Sequence, residues 1–131
     1  MLRRTLLAAL AIAVPALAAQ PAAAQQGVKI GLITTQSGPN GGLGRDMVDG
    51  FNLAIKHAGG KLGGVPTELI VGDDQFRPDA GKAMAERMVQ RDRVDIVTGV
   101  IFSNIMLALA DTVLKDRRGV FLVSGNAGPS E

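Results

Sequence analysis

Beyond residue 25, short apolar runs alternate with segments of helical spacing, and this alternation is the feature that most constrains the fold. Each run is four to seven residues long and rich in β-branched side chains. Such runs are typical of buried strands. The four runs lie at 28–34, 67–71, 94–99 and 120–123. Strands that are apolar throughout, with helices between them, predict an α/β fold in which helices cover both faces of a parallel sheet.

Three helices are predicted to connect these strands. Apolar residues at helical spacing place the first over about 44–58. Pro78 and Asp79 begin the second, with Asp79 as N-cap, and Ser103 or Asn104 caps the third. If the strands lie in the spatial order 2-1-3-4, the order reverses between the first and third strands. In open parallel sheets, ligands bind beyond the carboxyl ends of the strands at such a reversal.

Composition removes several classes of function. The 131-residue chain has no Cys, Trp or Tyr, a single His (His57) and four Phe. Without Cys, disulfides, thiolate metal sites and Cys nucleophiles are excluded. A single His argues against a His-based zinc site or a Ser–His triad, and too few aromatic rings are present to stack nucleic-acid bases. We therefore expect no metal, no cofactor and no nucleic-acid partner.

The first 24 residues have the build of a secretory signal peptide. Arg3 and Arg4 form a basic start, an apolar stretch follows over 5–19, and Ala22 and Ala24 supply the small residues of a cleavage site. The apolar stretch is shorter than the roughly 20 residues that a membrane-spanning helix needs. We expect residues 1–24 to be removed and the remainder to be periplasmic. The remainder carries 12 basic and 12 acidic residues, so charge gives no support for nucleic-acid binding.

Two motifs near the ends of predicted strands have features of nucleotide-binding, metal-binding or catalytic sites. Gly42 and Gly44 follow a strand and precede a helix, but a dinucleotide fingerprint needs a third glycine where Met47 stands. Asp73 and Asp74 end the second strand and have the chemistry of metal ligands or of a catalytic carboxylate pair. Acidic residues at strand ends more commonly are solvated or cap a helix. We expect neither nucleotide nor metal binding, and no catalytic residues.

The segment 101–104 links the third strand to the third helix. The N–H groups and dipole of a helix start favour an anion such as a carboxylate. The Ser103 hydroxyl adds a donor that rotates to suit its partner. The alternative is that Ser103 or Asn104 is a plain helix cap. Loops 35–44 and 124–130 are expected to border the same crevice.

Six short segments then carry a family resemblance. They are Val28-Lys29-Ile30-Gly31 with Ser37-Gly38-Pro39, Gly72-Asp73-Asp74, Val97-Thr98-Gly99 leading to Ser103-Asn104, and Asn126 to Glu131. In this order and spacing, behind a signal peptide, they resemble the N-terminal lobe of the leucine-binding type (type I) of periplasmic solute-binding protein. This family serves branched-chain amino acid ABC transporters. The resemblance covers about 28–131.

The resemblance implies a particular architecture. Family members have two Rossmann-like lobes joined by hinge strands, with the ligand in the cleft between them. Residues 25–131 would then be the truncated N-terminal lobe of this two-lobe fold, an incomplete domain.

The resemblance also implies ligand-binding positions. Ser103 matches the family's serine that holds the ligand carboxylate. Asn126 matches a position whose backbone carbonyl meets the ligand's amino group, with Ala127 next to it. Gly128 stands where leucine binders have a threonine, and Leu43 stands in a loop that often carries a tyrosine. Both departures point away from a branched-chain amino acid, and the Asn-Ala-Gly-Pro-Ser ending is similar to that of relatives that bind aromatic or other organic acids.

The sequence therefore predicts a non-catalytic, periplasmic substrate-binding component of an ABC transporter. It would bind an amino acid or another small carboxylate-bearing solute and present it to a permease in the inner membrane. One alternative is the extracellular ligand-sensing domain of a receptor. A second is a small α/β enzyme, although the chain has no Gly-x-Ser-x-Gly nucleophile elbow.

Overall fold

The computed structural model describes residues 27–125. The predicted signal segment and the candidate residues Asn126, Ala127 and Gly128 lie outside this range. The described part forms strands β1 (Val28–Thr34), β2 (Lys61–Leu62), β3 (Val65–Asp73), β4 (Ile96–Thr98) and β5 (Phe121–Leu122). Its helices are α1 (Gly41–His57), α2 (Pro78–Arg87), which continues into a π-helical turn at Met88–Asp92, and α3 (Ser103–Leu114).

The five strands form one sheet in the order β2-β3-β1-β4-β5. The order 2-1-3-4, stated above only as a condition, is the one observed, because the four predicted strands correspond to β1, β3, β4 and β5. Strand β1 pairs in parallel with β3 along its whole length and with β4 from Ile30 to Leu32. The order therefore reverses between β1 and β4.

Helices cover both faces of the sheet, as predicted. The chain moves in one direction along the sheet from β1 to β3, and in the other direction from β3 to β4 and β5. Because crossovers between parallel strands are right-handed, α1 covers one face while α2 and α3 cover the opposite face. The starts of α1 and α3 consequently flank the reversal point from opposite sides.

The core lies between the sheet and the pair of helices α2 and α3. Ile33 of β1 and Val97 of β4 are fully buried there and pack in one cluster with helix residues that include Met88, Ile105 and Leu109. Each such side chain contributes about 1.5–3 kcal/mol by leaving water. The only buried residues of α1 itself are Gly41 and Gly44, so this helix is packed most closely at its beginning.

The short strand β2 was not predicted from the sequence. Lys61 and Leu62 pair antiparallel with Pro66 and Val65, which makes a hairpin before the long strand β3. The Leu62 N–H donates to the Thr67 hydroxyl at 3.0 Å. Backbone and hydroxyl bonds hold this hairpin, so it leaves no apolar periodicity in the sequence.

Two helix predictions need correction. Helix α1 begins at Gly41 and not near residue 44. The N-cap of α2 is Arg77, whose backbone is extended, and Asp79 lies inside the first turn, paired with the Arg77 guanidinium. Within residues 27–125, no helix combines the length and the apolar character needed to cross a membrane.

Candidate functional site

The candidate site lies at the carboxyl ends of β1 and β4, where the strand order reverses. The loops that leave β1 (35–40), β3 (74–77) and β4 (99–102) all emerge at this edge of the sheet. Strand β5 joins them, because the Thr98 hydroxyl donates to the Val123 carbonyl at 2.8 Å. Four loops of the described chain therefore meet where ligands bind in open parallel sheets.

The predicted residues Ser103 and Asn104 are the first two residues of α3 and both are exposed. The N–H groups of Ile105 and Met106 already donate to the Phe102 carbonyl, at 3.1 and 3.0 Å. No carbonyl of the helix accepts from the N–H groups of Ser103 and Asn104, because the acceptors four residues earlier would lie before the helix. Two backbone donors and two polar side chains thus face outwards at one point.

The sequence-based capping alternative for Ser103 and Asn104 is wrong. The N-cap position belongs to Phe102, whose backbone is extended (φ −111°, ψ 132°) and whose side chain makes no capping bond. Phe is not among the residues that cap helices by accepting N–H groups. The hydroxyl of Ser103 and the amide of Asn104 are therefore not committed to capping α3.

Leu43 lies in the first turn of α1, 58% exposed, on the other side of the reversal point from Ser103. Its position is fixed by close packing of the next residue. A methyl group at Gly44 would overlap the backbone carbonyl oxygen of Thr35. The start of α1 therefore rests directly on the loop that leaves β1.

Two carboxylates tie the loops of β1 and β3 together. Asp73 accepts the N–H groups of Gln36 and Gln75, both at 2.9 Å. Asp74 is fully buried and accepts the hydroxyl of Thr35 and the N–H of Phe76 on its Oδ1 atom, the latter at 2.9 Å. Among the described residues, no hydrogen-bond partner is found for the other oxygen of Asp74 or for the Thr34 hydroxyl.

These environments move the two pKa values in opposite directions. Burial acts to raise the pKa of Asp73, but the hydrogen bonds from Gln36, Gln75 and Ser37 outweigh it, so this pKa is lowered. Burial raises the pKa of Asp74, and the hydrogen bonds from Thr35 and Phe76 offset only part of the effect. The expectation that acidic residues at this strand end are solvated is therefore wrong for Asp74.

The loop between β3 and α2 is strained and reaches the start of α3. Gln75 and Phe76 both have left-handed backbones, with φ of 55° and 58°. Such conformations cost non-glycine residues on the order of 1–3 kcal/mol each. The ring of Phe76 meets the ring of Phe102 edge to face, with centroids 4.5 Å apart. Sequence reasoning missed this contact; the only local signal was an aromatic residue, Phe76, two positions after Asp74.

The described residues offer few other groups of side chains that could form a functional site. Residues 27–125 contain no cluster of three or more side chains able to hold a metal ion. An open depression of about 930 Å³ lies at the amino ends of the strands, opposite the candidate site. Its lining mixes the basic residues Lys29, Arg93 and Arg118 with the acidic residues Glu68 and Asp95. The reversal of strand order and the N–H groups at the start of α3 instead indicate a binding site at the carboxyl ends of the strands.

Comparison with solved structures identifies similar proteins. The chain superposes on an ABC transporter substrate-binding protein from Sphaerobacter thermophilus with a TM-score of 0.69 and 31% identity, covering 79% of this chain and 28% of that one. A solute-binding protein from Rhodopseudomonas palustris, in complex with 3,4-dihydroxybenzoic acid, gives a TM-score of 0.70 and 28% identity over 77% of this chain and 27% of that one.

A branched-chain amino acid transporter substrate-binding protein from Streptococcus pneumoniae, in complex with isoleucine, shares the fold with a TM-score of 0.71. It is 24% identical, and the match covers 80% of this chain and 30% of that one. The chain thus spans less than a third of the length of these solved structures. A search of curated proteins gave no match.

The matched proteins are solute-binding proteins of ABC transporters, and their fold is the one described above. The resemblance to the leucine-binding type and the prediction of a lobe of the type I fold are both confirmed. A sequence model of one family matches residues 27–131, and on this evidence the chain belongs to the periplasmic binding protein family.

Proposed function

We propose that this chain is the N-terminal lobe of an ABC transporter substrate-binding protein and that the start of α3 binds the carboxylate of a small solute. The observation that carries the proposal is the placement of Ser103. Its hydroxyl is exposed, and the N–H groups of Ser103 and Asn104 have no acceptor within α3. All three donors lie where the strand order reverses.

A carboxylate is the ligand group that suits these donors. The helix start carries a partial positive charge from the aligned peptide dipoles, and its N–H groups are hydrogen-bond donors to an anion. Hydrogen bonds to a charged group contribute about 1.5–3 kcal/mol each, more than bonds between neutral groups. The Ser103 hydroxyl adds one such bond.

The body of the ligand is proposed to be an aromatic or other organic acid, with an amino acid as the second class. Leu43 offers an apolar, exposed side chain across the reversal point. Asn126, Ala127 and Gly128 are proposed to complete the site from the loop after β5. One similar protein was solved with 3,4-dihydroxybenzoic acid and one with isoleucine, and both ligands carry a carboxylate.

The protein is proposed to act in the periplasm without catalysing a reaction. Family membership supports a periplasmic location, and the basic, apolar and small-residue sections of 1–24 support export by a cleaved signal. Solute-binding proteins of ABC transporters are the matched proteins. The proposed partner is therefore the permease of such a transporter in the inner membrane.

Calorimetric titration of the full gene product tests this function. The ligands are 3,4-dihydroxybenzoate and isoleucine, each beside its neutral carboxamide. We expect one of the acids to bind and its carboxamide to bind at least about tenfold more weakly, because the amide brings no negative charge to the helix start. Equal binding of acid and amide would contradict a carboxylate site, and absence of binding by both acids would contradict the proposed ligand classes.

A further inference from the structure

We propose that Asp74 is a positioning residue for the start of α3, acting through Phe76 and Phe102. The proposal rests on the function above, in which Ser103 meets the ligand carboxylate. Asp74 itself is buried and touches no solvent, so it is not a ligand contact. Its role is to fix the position of Phe102, the residue before Ser103.

The first step is the hydrogen bonding that holds Phe76 to Asp74. One carboxylate oxygen accepts both the Thr35 hydroxyl and the Phe76 N–H. The Asp74 N–H donates to the Thr34 carbonyl at 3.2 Å, and the Asp74 carbonyl accepts the Arg77 N–H at 2.8 Å. Asp74 therefore makes hydrogen bonds both within and beyond the strained pair Gln75–Phe76. These bonds favour the left-handed backbone that Phe76 adopts.

The second step is the contact between the two rings. The left-handed turn presents Phe76 to Phe102, with ring centroids 4.5 Å apart and ring planes at 77°. This edge-to-face arrangement is a favoured geometry for aromatic pairs. Phe102 also packs against the core cluster beneath α2 and α3. Its ring is thus held between the core and Phe76.

The third step runs from the Phe102 ring to its backbone. Phe102 occupies the N-cap of α3 but its side chain makes no capping bond. Packing of its ring, and not a side-chain hydrogen bond, therefore holds this residue at the N-cap. The Phe102 carbonyl accepts the N–H groups of Ile105 and Met106, so displacement of this residue loosens the whole first turn.

Hydrogen exchange in the full gene product measures this positioning directly. In Asp74→Ala, we expect the amides of Ile105 and Met106 to exchange about tenfold faster, because local opening of the first turn becomes easier. Amides of the central strand β1 serve as the internal reference and should change less. Asp74→Asn keeps an oxygen that accepts from Thr35 and Phe76, so it should restore the slow exchange.

Asp73→Ala is the matched control. Asp73 is the neighbouring carboxylate and also binds backbone N–H groups, but it makes no bond to Phe76. It should loosen residues 36 and 75 and leave Ile105 and Met106 at the wild-type rate. Unchanged exchange at Ile105 and Met106 in Asp74→Ala, or an equal increase in Asp73→Ala, would overturn the proposal.

Phe76→Leu decides the question if Asp74→Ala does not fold. It keeps Asp74 and removes only the aromatic contact, and it must also speed exchange at Ile105 and Met106. Exchange at the wild-type rate in Phe76→Leu would refute the proposal that Asp74 acts through the rings of Phe76 and Phe102.

Titration with 3,4-dihydroxybenzoate tests whether the positioning role of Asp74 affects ligand affinity. If the wild-type protein binds it, Asp74→Ala should weaken binding and Asp74→Asn should not; unchanged affinity in Asp74→Ala would refute the link to the site. If the wild-type protein binds neither this acid nor isoleucine, the proposed function fails while the exchange result still decides the positioning role.

Discussion

The hydroxyl of Thr35 donates a hydrogen bond to the buried carboxyl group of Asp74, and this bond joins the carboxyl ends of β1 and β3. The two residues are 39 positions apart in the sequence. Their contact brings together the loop that begins α1 and the loop that begins α2. A buried acid at the centre of a binding edge has consequences for stability that can be measured.

The stability of the protein should depend on pH through Asp74 in an unusual direction. Because burial raises the pKa of Asp74 above its ordinary value of 3.8, the folded chain keeps this proton at pH values where the unfolded chain has released it. The contribution of Asp74 to the free energy of unfolding therefore falls as pH rises from 3.8 through the folded pKa. We expect Asp74→Asn to gain stability relative to wild type over this interval, measured by thermal unfolding at a series of pH values.

Asp73→Asn is the control and should show the opposite slope. The pKa of Asp73 is lowered, so its stabilisation is present above 3.8 and is lost as pH falls through the folded pKa. Wild type should therefore lose its advantage over Asp73→Asn on acidification. Parallel pH profiles for the two variants would show that the two carboxyl groups do not differ in environment.

Two glycines of α1 should respond to alanine with opposite signs. Gly44 rests against the Thr35 backbone, where a methyl group has no room, whereas a methyl group at Gly50 meets nothing within 4 Å. We expect Gly44→Ala to lower the free energy of unfolding by about 1–3 kcal/mol through overpacking. Gly50→Ala should raise it by about 0.5–1 kcal/mol, because alanine favours a helix interior.

Denaturant unfolding of both variants, with the wild type as reference, measures the difference. A Gly44→Ala protein as stable as Gly50→Ala would mean that α1 does not sit against the loop after β1. Leu43 would then lose its assigned position beside the site.

Export should remove residues 1–24. The basic start, the short apolar stretch and the small residues Ala22 and Ala24 predict cleavage after Ala24. Mass spectrometry of the protein from a periplasmic extract should find Gln25 at the N-terminus. Recovery of an intact chain beginning at Met1 from the cytoplasm would refute the signal-peptide prediction.

Much of the fold could be predicted because its central strand β1 is buried on both faces. The β1 segment is apolar nearly throughout, and five of its seven residues, Ile30 to Thr34, are buried. Such a run has one structural interpretation in an α/β chain. Parallel pairing and right-handed crossovers restrict the strand order but do not by themselves select 2-1-3-4.

The details of the helix starts could not be predicted. Phe102 occupies an N-cap that local chemistry assigns to Ser103 or Asn104. Its place is decided by the Phe76 ring, which lies 26 residues earlier and depends on a strained turn. The same holds for Asp74, because its burial depends on Thr35 across the sheet. Contacts of this kind are tertiary and leave no periodic signal.

The most direct test of the central claim is the affinity of Ser103→Ala for whichever acid, 3,4-dihydroxybenzoate or isoleucine, binds the full gene product more tightly. Loss of one hydrogen bond to a carboxylate should weaken binding about 10- to 150-fold. Thermal unfolding should be unchanged, because Phe102 and not Ser103 holds the N-cap. Thr112→Val, which removes a hydroxyl nine residues further along α3, should leave the affinity unchanged. An unaltered affinity in Ser103→Ala would contradict the assignment of the carboxylate to the start of α3.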